Sequence, residues 1–236
     1  MNKKRVLAML LAGTMCASLA GCGGSNGSSN AGSTAANGKY NVSVILKTLS
    51  AEYWQYVKSG AEAYAKENPD VVSVDVKGPS SETAFDEMQN MIETDLSSGN
   101  YDGIVISPLQ SDTAAQLVSG TKLPIVAIDT NFTAPVDTAF DAPEVVSYVG
   151  TGNEAAAKKG AIAAVEAAKA AGWDEIKCIE IAGVQGDETC AARMRGYEAG
   201  VNEAGGEFLT NEVKYADATA DRATTAMEAI MQTHPE

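Results

Sequence analysis

Short β-rich runs alternate with amphipathic helices from Tyr40 onward, and this alternation constrains the fold more than any other feature of the chain. The first run, residues 42–46, is followed by a helical pattern over residues 51–68, which ends before Pro69 because proline cannot continue a helix. The predicted strand at residues 103–107 is apolar along most of its length, which is typical of a strand covered on both faces. Together these elements predict an α/β fold with parallel sheets and helices on both faces.

The remaining predicted elements follow the same order. Strands are predicted at residues 71–76, 123–129, 145–149, 176–182 and 208–215, and helices at residues 82–96, 113–118, 153–171 and 221–233, with one further helix that Thr189 caps. An irregular, proline-containing stretch at residues 130–144 interrupts the alternation.

This interruption divides the elements into two groups. We expect two Rossmann-like lobes, residues 40–149 and 150–236, joined by a hinge at Gly150, Thr151 and Gly152. The second lobe holds only three predicted strands, which is few for an open sheet. We therefore expect this lobe to be incomplete and the chain to be truncated at its carboxyl end.

The amino terminus predicts export. Three basic residues precede an apolar run at residues 6–12, which is typical of a secretory signal and too short to span a membrane. The sequence Leu-Ala-Gly-Cys ending at Cys22 is typical of a bacterial lipobox, so we expect a signal peptide at residues 1–21 and a lipidated Cys22; the alternative is an ordinary signal peptide with a chance cysteine. Small polar residues dominate residues 22–39, which predicts a flexible tether to the outer face of the cell membrane or a periplasmic location.

The chain is strongly acidic. Removal of residues 1–21, which contain three basic and no acidic residues, changes the formal net charge from −14 to −17. Such a surface repels phosphate groups and anionic lipids, so we expect no nucleic-acid partner and membrane contact only through the lipid anchor. The charge and the signal sequence also argue against a sugar-responsive transcription regulator, which requires a basic DNA-binding region.

The sequence carries no catalytic or metal-binding constellation. Cys178 and Cys190 are interpreted as free thiols rather than a disulfide, and no metal-ligand spacing is present. The G-x-S-x-G match at residues 23–27 lies in the tether, where the strained elbow of a hydrolase cannot form. The G-x-G-x-x-A match at residues 150–155 follows a strand and opens a helix, but a tight turn is favoured over dinucleotide binding. We expect no cofactor and no enzymatic activity.

Candidate ligand-binding residues lie where predicted strands end, because ligands of open α/β sheets bind beyond the carboxyl ends of the strands. These residues are Lys47, Tyr53, Trp54, Ser107, Asp129 and Arg193. Aromatic rings pack against the apolar faces of sugar rings, Asp129 can accept hydrogen bonds from hydroxyls, and Arg193 can donate them from the opposing lobe. Structural alternatives are a core position for Trp54, a loop cap for Asp129 and a surface ion pair for Arg193.

Residues 44–60, 101–112, 124–129 and 189–196 resemble the ribose-binding class of periplasmic sugar-binding proteins, and the likeness extends from residue 40 to residue 236. The resemblance implies a periplasmic-binding-protein-like fold whose two lobes close over a ligand, which the membrane subunits of an ABC importer then receive. It places Tyr53 and Trp54 at aromatic stacking positions. It likewise places Asp129 and Arg193 at the sugar-binding aspartate and at the arginine of the second lobe.

Departures from the family pattern leave the ligand open. Thr130 replaces the arginine that follows the aspartate in ribose binders, Ala51 replaces an asparagine, and Lys47 stands where a small polar residue is usual. A different pentose, a hexose, inositol or an acidic sugar are all consistent with the sequence, and Lys47 points to an anionic group. We expect a monomer that serves an importer; the alternative is a lipoprotein that presents its ligand to a membrane signalling receptor.

Overall fold

The computed structural model describes residues 38–132 and 145–234. The predicted signal peptide, Cys22 and most of the predicted tether lie outside these residues, as does most of the irregular stretch at residues 130–144. All described residues belong to one compact unit. None of the helices within the described part of the chain is long and apolar enough to cross a membrane.

A five-stranded parallel sheet forms the centre of the first half of the chain. Its strands are β1 (Tyr40–Ile45), β2 (Val72–Lys77), β3 (Gly103–Ile106), β4 (Ile125–Ile128) and β5 (Val145–Val149), in the order β2-β1-β3-β4-β5. Every pairing is parallel, and Val44 of β1 lies between Val76 of β2 and Val105 of β3. The predicted α/β fold with a parallel sheet is confirmed.

Three helices cover the two faces of this sheet. They are α1 (Glu52–Glu67), α2 (Phe85–Ser98) and α3 (Ser111–Val118). Successive strand residues point to opposite faces, so Val44 and Leu46 pack with Trp54 of α1 on one side, while Ile45 packs with Ile92 of α2 on the other. The near-continuous apolar strands follow from this burial on both faces.

The carboxyl-terminal segment, defined as residues 150–234, contains three further helices and two strand pairs. The helices are α4 (Asn153–Ala170), α5 (Glu188–Glu203) and α6 (Ala220–Thr233), and the strands are β6 (Lys177–Cys178), β7 (Ile181–Ala182), β8 (Glu207–Phe208) and β9 (Lys214–Tyr215). Strand β6 pairs with β8 and β7 pairs with β9, again in parallel.

Two predicted strands of this segment are interrupted, so the prediction of continuous strands at residues 176–182 and 208–215 was wrong. Residues 209–213 connect β8 to β9, whereas only residues 179–180 connect β6 to β7. The longer connection loops out as a short 3₁₀ turn at Thr210–Glu212, and the pairing between the two chains is broken at that point.

Helices α4 and α5 pack closely because small residues lie at their contact. Gly196 and Gly200 of α5 are four residues apart and therefore share one helix face. A Cβ atom at Gly196 would lie 2.2 Å from the Glu154 carbonyl oxygen, and one at Gly200 would lie 2.4 Å from the Lys158 carbonyl oxygen. Only glycine permits this approach of the two backbones. Beside it, Val165 and neighbouring apolar residues form a separate small core.

Candidate ligand-binding site

A cleft of about 520 Å³ opens at the carboxyl ends of β1, β4, β7 and β9. Five of the six predicted ligand-binding residues line it, and they are Lys47, Tyr53, Trp54, Asp129 and Arg193. Residues of α1 and of the connections that follow strands of the five-stranded sheet form one wall, and the carboxyl-terminal segment forms the other. As expected for residues at strand ends, side chains more than a hundred positions apart in the sequence meet in one cleft.

Tyr53 and Trp54 form an edge-to-face aromatic pair at the start of α1, with ring centroids 4.8 Å apart and planes at 81°. The side chain of Trp54 is 3% exposed and belongs to the core beneath α1, so it both packs in the core and contributes to the cleft wall. Its Nε1 donates a hydrogen bond of 2.9 Å to Glu82 Oε1. Tyr53 is 55% exposed, which leaves its ring face accessible to a ligand.

Asp129 lies at the centre of a polar cluster and adopts a left-handed backbone conformation, with φ at 59°. Its carboxylate accepts hydrogen bonds from the Tyr53 hydroxyl at 3.4 Å and from Thr130 Oγ1 at 3.1 Å. Its carbonyl oxygen accepts from the Tyr148 hydroxyl at 2.7 Å and from Thr189 Oγ1 at 3.3 Å. Two effects raise the pKa of Tyr53: burial of the phenol is the larger, and the negative charge of the Asp129 carboxylate is the next. The phenol therefore stays protonated and acts as a donor. Non-glycine residues with positive φ are often found at functional sites, because neighbouring contacts must hold them there.

Lys47 links the two walls of the cleft. Its Nζ donates to Asp187 Oδ2 and lies 3.7 Å from Asp129 Oδ2, and the side chains of Lys47 and Asp187 are only 4% and 5% exposed. Thr130 Oγ1 and Thr189 Oγ1 form a second link between the walls at 2.8 Å. The positive charge of Lys47 is therefore already compensated by two carboxylates of the protein.

Asp187, rather than Thr189, caps α5. Its Oδ1 accepts hydrogen bonds from the backbone N–H of Thr189 at 2.7 Å and of Cys190 at 3.4 Å. The predicted cap at Thr189 was wrong because the helix already begins at Glu188, which places the cap position at Asp187, two residues before Thr189. One carboxylate thus caps the helix with one oxygen and pairs with Lys47 through the other.

Arg193 lies on α5 with its guanidinium at the cleft. Its Nε donates to Asn153 Oδ1 at 3.1 Å, and its Nη atoms have no hydrogen-bond partner among the described residues. The alternative pairing of Arg193 with Asp187 or Glu188 does not occur. Asp187 pairs with Lys47, and Glu188 pairs with Arg195 at 2.6 Å. Arg193 therefore keeps donors available toward the cleft.

Ser107 does not join the other predicted residues. It is fully buried at the end of β3, where its backbone N–H donates to the Ile45 carbonyl oxygen at 2.9 Å, and it does not line the cleft. Of the predicted hinge residues, Thr151 lines the cleft and Gly152 lies at the amino-terminal cap position of α4.

Besides Asp187, two acidic residues of the cleft were not predicted as ligand contacts. Glu82 lies in the connection between β2 and α2, too far beyond the end of β2 at Lys77 to be selected as a residue at a strand end. Glu180 lies between β6 and β7, and the prediction of a continuous strand placed it inside a strand rather than at its end. It lies only two residues before the end of β7 at Ala182, and this closeness to a strand end could have identified it.

Neither metal ligation nor a disulfide occurs in the described part of the chain. Residues 38–132 and 145–234 contain no group of three or more His, Cys, Asp or Glu side chains arranged to hold a metal ion. Cys178 and Cys190 are free thiols, as predicted, and each is half-buried. Burial raises the pKa of both thiols, which keeps them protonated and weakly nucleophilic.

Comparison with known proteins identifies relatives of this chain. The chain is 34% identical over 166 residues to the D-allose-binding periplasmic protein of Escherichia coli K12, an alignment that covers 70% of this chain and 51% of that protein. It is 25% identical over 204 residues to the D-ribose/D-allose-binding protein of Pseudomonas aeruginosa, which covers 84% and 60% of the two chains. The chain thus spans between about half and three-fifths of the length of these curated relatives.

A solved structure shows the same fold. The glucose-galactose binding protein of Geobacillus stearothermophilus is 25% identical and superposes with a TM-score of 0.68, covering 84% of this chain and 65% of its own. Residues 42–236 match a family described as a periplasmic binding protein domain. The resemblance found in the sequence is confirmed, and the chain belongs to the periplasmic binding protein family.

Proposed function

We propose that this protein is an extracytoplasmic receptor that captures a sugar or polyol and delivers it to the membrane subunits of an ABC importer. The cleft carries this proposal, because an accessible aromatic ring, a carboxylate and a guanidinium converge there from two walls. Its volume of about 520 Å³ falls within the range of small-molecule sites. Similarity to proteins named for binding D-allose, D-ribose, glucose or galactose supports the same ligand class.

Each residue has a defined role in this proposal. The exposed ring of Tyr53, which contacts the Trp54 ring in an edge-to-face arrangement, packs against the C–H face of the sugar. Asp129 accepts hydrogen bonds from sugar hydroxyls, and the Nη atoms of Arg193 donate to sugar oxygens from the opposite wall. The contacts of Asp129 with Tyr53, Thr130 and Tyr148 hold its carboxylate in place before the ligand arrives.

We propose a neutral ligand rather than an acidic sugar. The sequence pointed to an anionic group through Lys47, but Asp187 and Asp129 compensate the charge of that lysine. Glu82 and Glu180 add further acidic groups to the cleft, while Arg193 is the other basic residue in its lining. A carboxylate on the ligand would therefore meet repulsion on most sides.

We further propose that ligand binding is coupled to closure of two lobes, residues 40–149 and 150–236. The chain passes from β5 to α4 through Gly150, Thr151 and Gly152, which we propose as hinge residues. In the structure, Lys47 and Thr130 already hold the two walls together through Asp187 and Thr189. Hinge closure around a ligand is a common motion of two-lobed proteins.

The sequence supports the location of this receptor. We propose that residues 1–21 direct export and that Cys22 is lipidated, so that the folded part is tethered outside the cytoplasm by residues 22–39. An acidic surface would keep the folded part away from anionic lipids, so the anchor is the lipid itself.

A thermal-shift screen tests the proposal. The purified protein would be mixed with D-allose, D-ribose, D-glucose, D-galactose, inositol and a sugar acid, and a ligand that binds the folded state should raise the Tm by an amount that grows with the logarithm of its concentration relative to Kd. We expect a shift with at least one neutral compound and none with the sugar acid. Arg193→Ala should abolish the shift. The matched control, Arg195→Ala on the same helix but outside the cleft, should retain it. A protein whose Tm is unchanged by every neutral sugar and polyol would refute the proposal.

A further inference from the structure

Glu180 lines the cleft and carries an unsatisfied carboxyl oxygen. The residue connects β6 to β7, and its carbonyl oxygen accepts a hydrogen bond of 3.1 Å from the Lys214 backbone N–H, so strand pairing fixes its backbone. The Oε2 atom is buried and has no hydrogen-bond partner among the described residues, and no hydrogen bond to Oε1 is found among them either. Buried carboxyl oxygens nearly always have a donor, so the missing donor requires an explanation.

The charged group that faces Glu180 is Arg193. Burial raises the pKa of Glu180, and the positive charge of Arg193 opposes that effect. The two side chains share no hydrogen bond, because the Nε of Arg193 donates to Asn153 and its Nη atoms have no partner within residues 38–132 and 145–234. An acceptor and a set of donors thus face the same cleft without satisfying each other.

A sugar hydroxyl has the chemistry to pair with both groups at once. A hydroxyl group both donates and accepts, so one hydroxyl can donate to a carboxylate while accepting from a guanidinium. Hydrogen bonds arranged in series strengthen one another in a region of low dielectric constant. A carboxylate ligand could not do this, because it has no proton to donate to Glu180.

We propose that Glu180 is a specificity-determining residue of the cleft, whose carboxylate accepts a hydrogen bond from one hydroxyl of a bound neutral sugar while Arg193 donates to the same oxygen. This inference rests on the proposed sugar-binding function and extends it to a residue that recognises one particular hydroxyl. A sugar that lacks this hydroxyl should lose the contact and leave both protein groups unsatisfied.

Calorimetric titrations of wild type and Glu180→Leu with the strongest binder of the neutral panel, and with its monodeoxy analogues, test this inference. In wild type, removal of one particular hydroxyl should weaken binding by about tenfold or more, because a site built to bind a hydroxyl rejects the analogue that lacks it. In Glu180→Leu, the parent sugar should bind about tenfold more weakly, and removal of that same hydroxyl should have little further effect. The control variant Glu166→Gln, an exposed position on α4, should bind like wild type.

The Tm of the ligand-free variant separates a binding role from a structural one. An unsatisfied buried carboxyl oxygen destabilises the free protein, so Glu180→Leu should have a Tm equal to or above that of wild type. Equal affinities of Glu180→Leu and wild type for the parent sugar would overturn the inference while leaving the proposed function intact. A fall in Tm together with affinity would also overturn it, since that result indicates a structural role. If wild type binds no sugar of the panel, the proposed function fails first and this inference fails with it.

Discussion

The buried ion pair between Lys47 and Asp187 gives the most quantitative prediction. At an effective dielectric constant of about 20, two unit charges about 4 Å apart attract by roughly 4 kcal/mol, and this attraction must offset the loss of solvation on burial. The side chains of Lys47 and Asp187 are 4% and 5% exposed, so solvent compensates neither charge. Asp129 is 22% exposed and 3.7 Å from Lys47 Nζ, so its contribution is smaller. Lys47→Met should therefore reduce the free energy of unfolding by about 3–5 kcal/mol.

A double-mutant cycle isolates this interaction. Asp187→Asn removes the charge but keeps an oxygen that can cap α5, because asparagine is a good amino-terminal cap. The unfolding free energies of wild type, both single variants and the double variant would be measured by urea denaturation. We expect a coupling energy of about 2 kcal/mol or more, since the double variant buries no unpaired charge.

The control variant is Lys58→Met, which removes a lysine that is 32% exposed and lies 3.7 Å from the exposed Glu62 on α1. It should cost less than about 1 kcal/mol, because exposed ion pairs contribute little. If Lys47→Met proves as mild as Lys58→Met, or if the coupling energy is near zero, the two walls of the cleft are not held together by this pair and the reasoning is refuted.

Three further predictions concern packing, protonation and the aromatic pair. Gly196→Ala should lower the free energy of unfolding, measured in urea, by about 1–3 kcal/mol, because the added methyl group overlaps α4. The control Gly160→Ala, whose methyl group meets no neighbour, should raise it by about 0.5–1 kcal/mol. Equal effects of the two substitutions would contradict the close packing of α4 and α5. Because burial raises the pKa of Glu180, the folded state binds that proton more tightly than the unfolded chain, so stability falls as the pH rises above the ordinary glutamate range. The Tm of Glu180→Gln relative to wild type should thus increase from about pH 4 to about pH 7, and a constant difference would contradict the shift. Trp54→Phe removes the donor to Glu82 and should cost about 1 kcal/mol in urea, whereas an unchanged stability would show that this hydrogen bond contributes nothing.

The architecture of the first half was predictable because local pattern and burial agree there. Apolar strands such as residues 103–107 and 123–129 lie inside the five-stranded sheet, and the predicted helices α1 and α2 cover its faces. The position of the cleft followed from the rule that strand ends share one edge of a parallel sheet. Five of the six candidate residues therefore line the cleft.

The parts that sequence reasoning missed depend on contacts between distant segments. Asp187 is 140 residues from Lys47, so no local pattern could show that the lysine is paired. Ser107 and Asp129 both follow strands, but only the structure shows that Ser107 is enclosed at the end of β3. Glu180 was missed because unequal connections interrupt the second pair of strands, which a periodicity argument cannot detect.

The most direct test of the central claim is isothermal titration of the purified protein with D-allose, D-ribose, D-glucose and D-galactose, alongside Asp129→Asn. Asparagine tolerates the left-handed backbone conformation found at Asp129, so this variant should remain folded while losing a charged acceptor. We expect saturable one-site binding of at least one sugar by wild type, with affinity reduced about tenfold or more in the variant. Absence of binding to all four sugars, or equal affinity in the two proteins, would contradict the assignment of this cleft as a sugar-binding site.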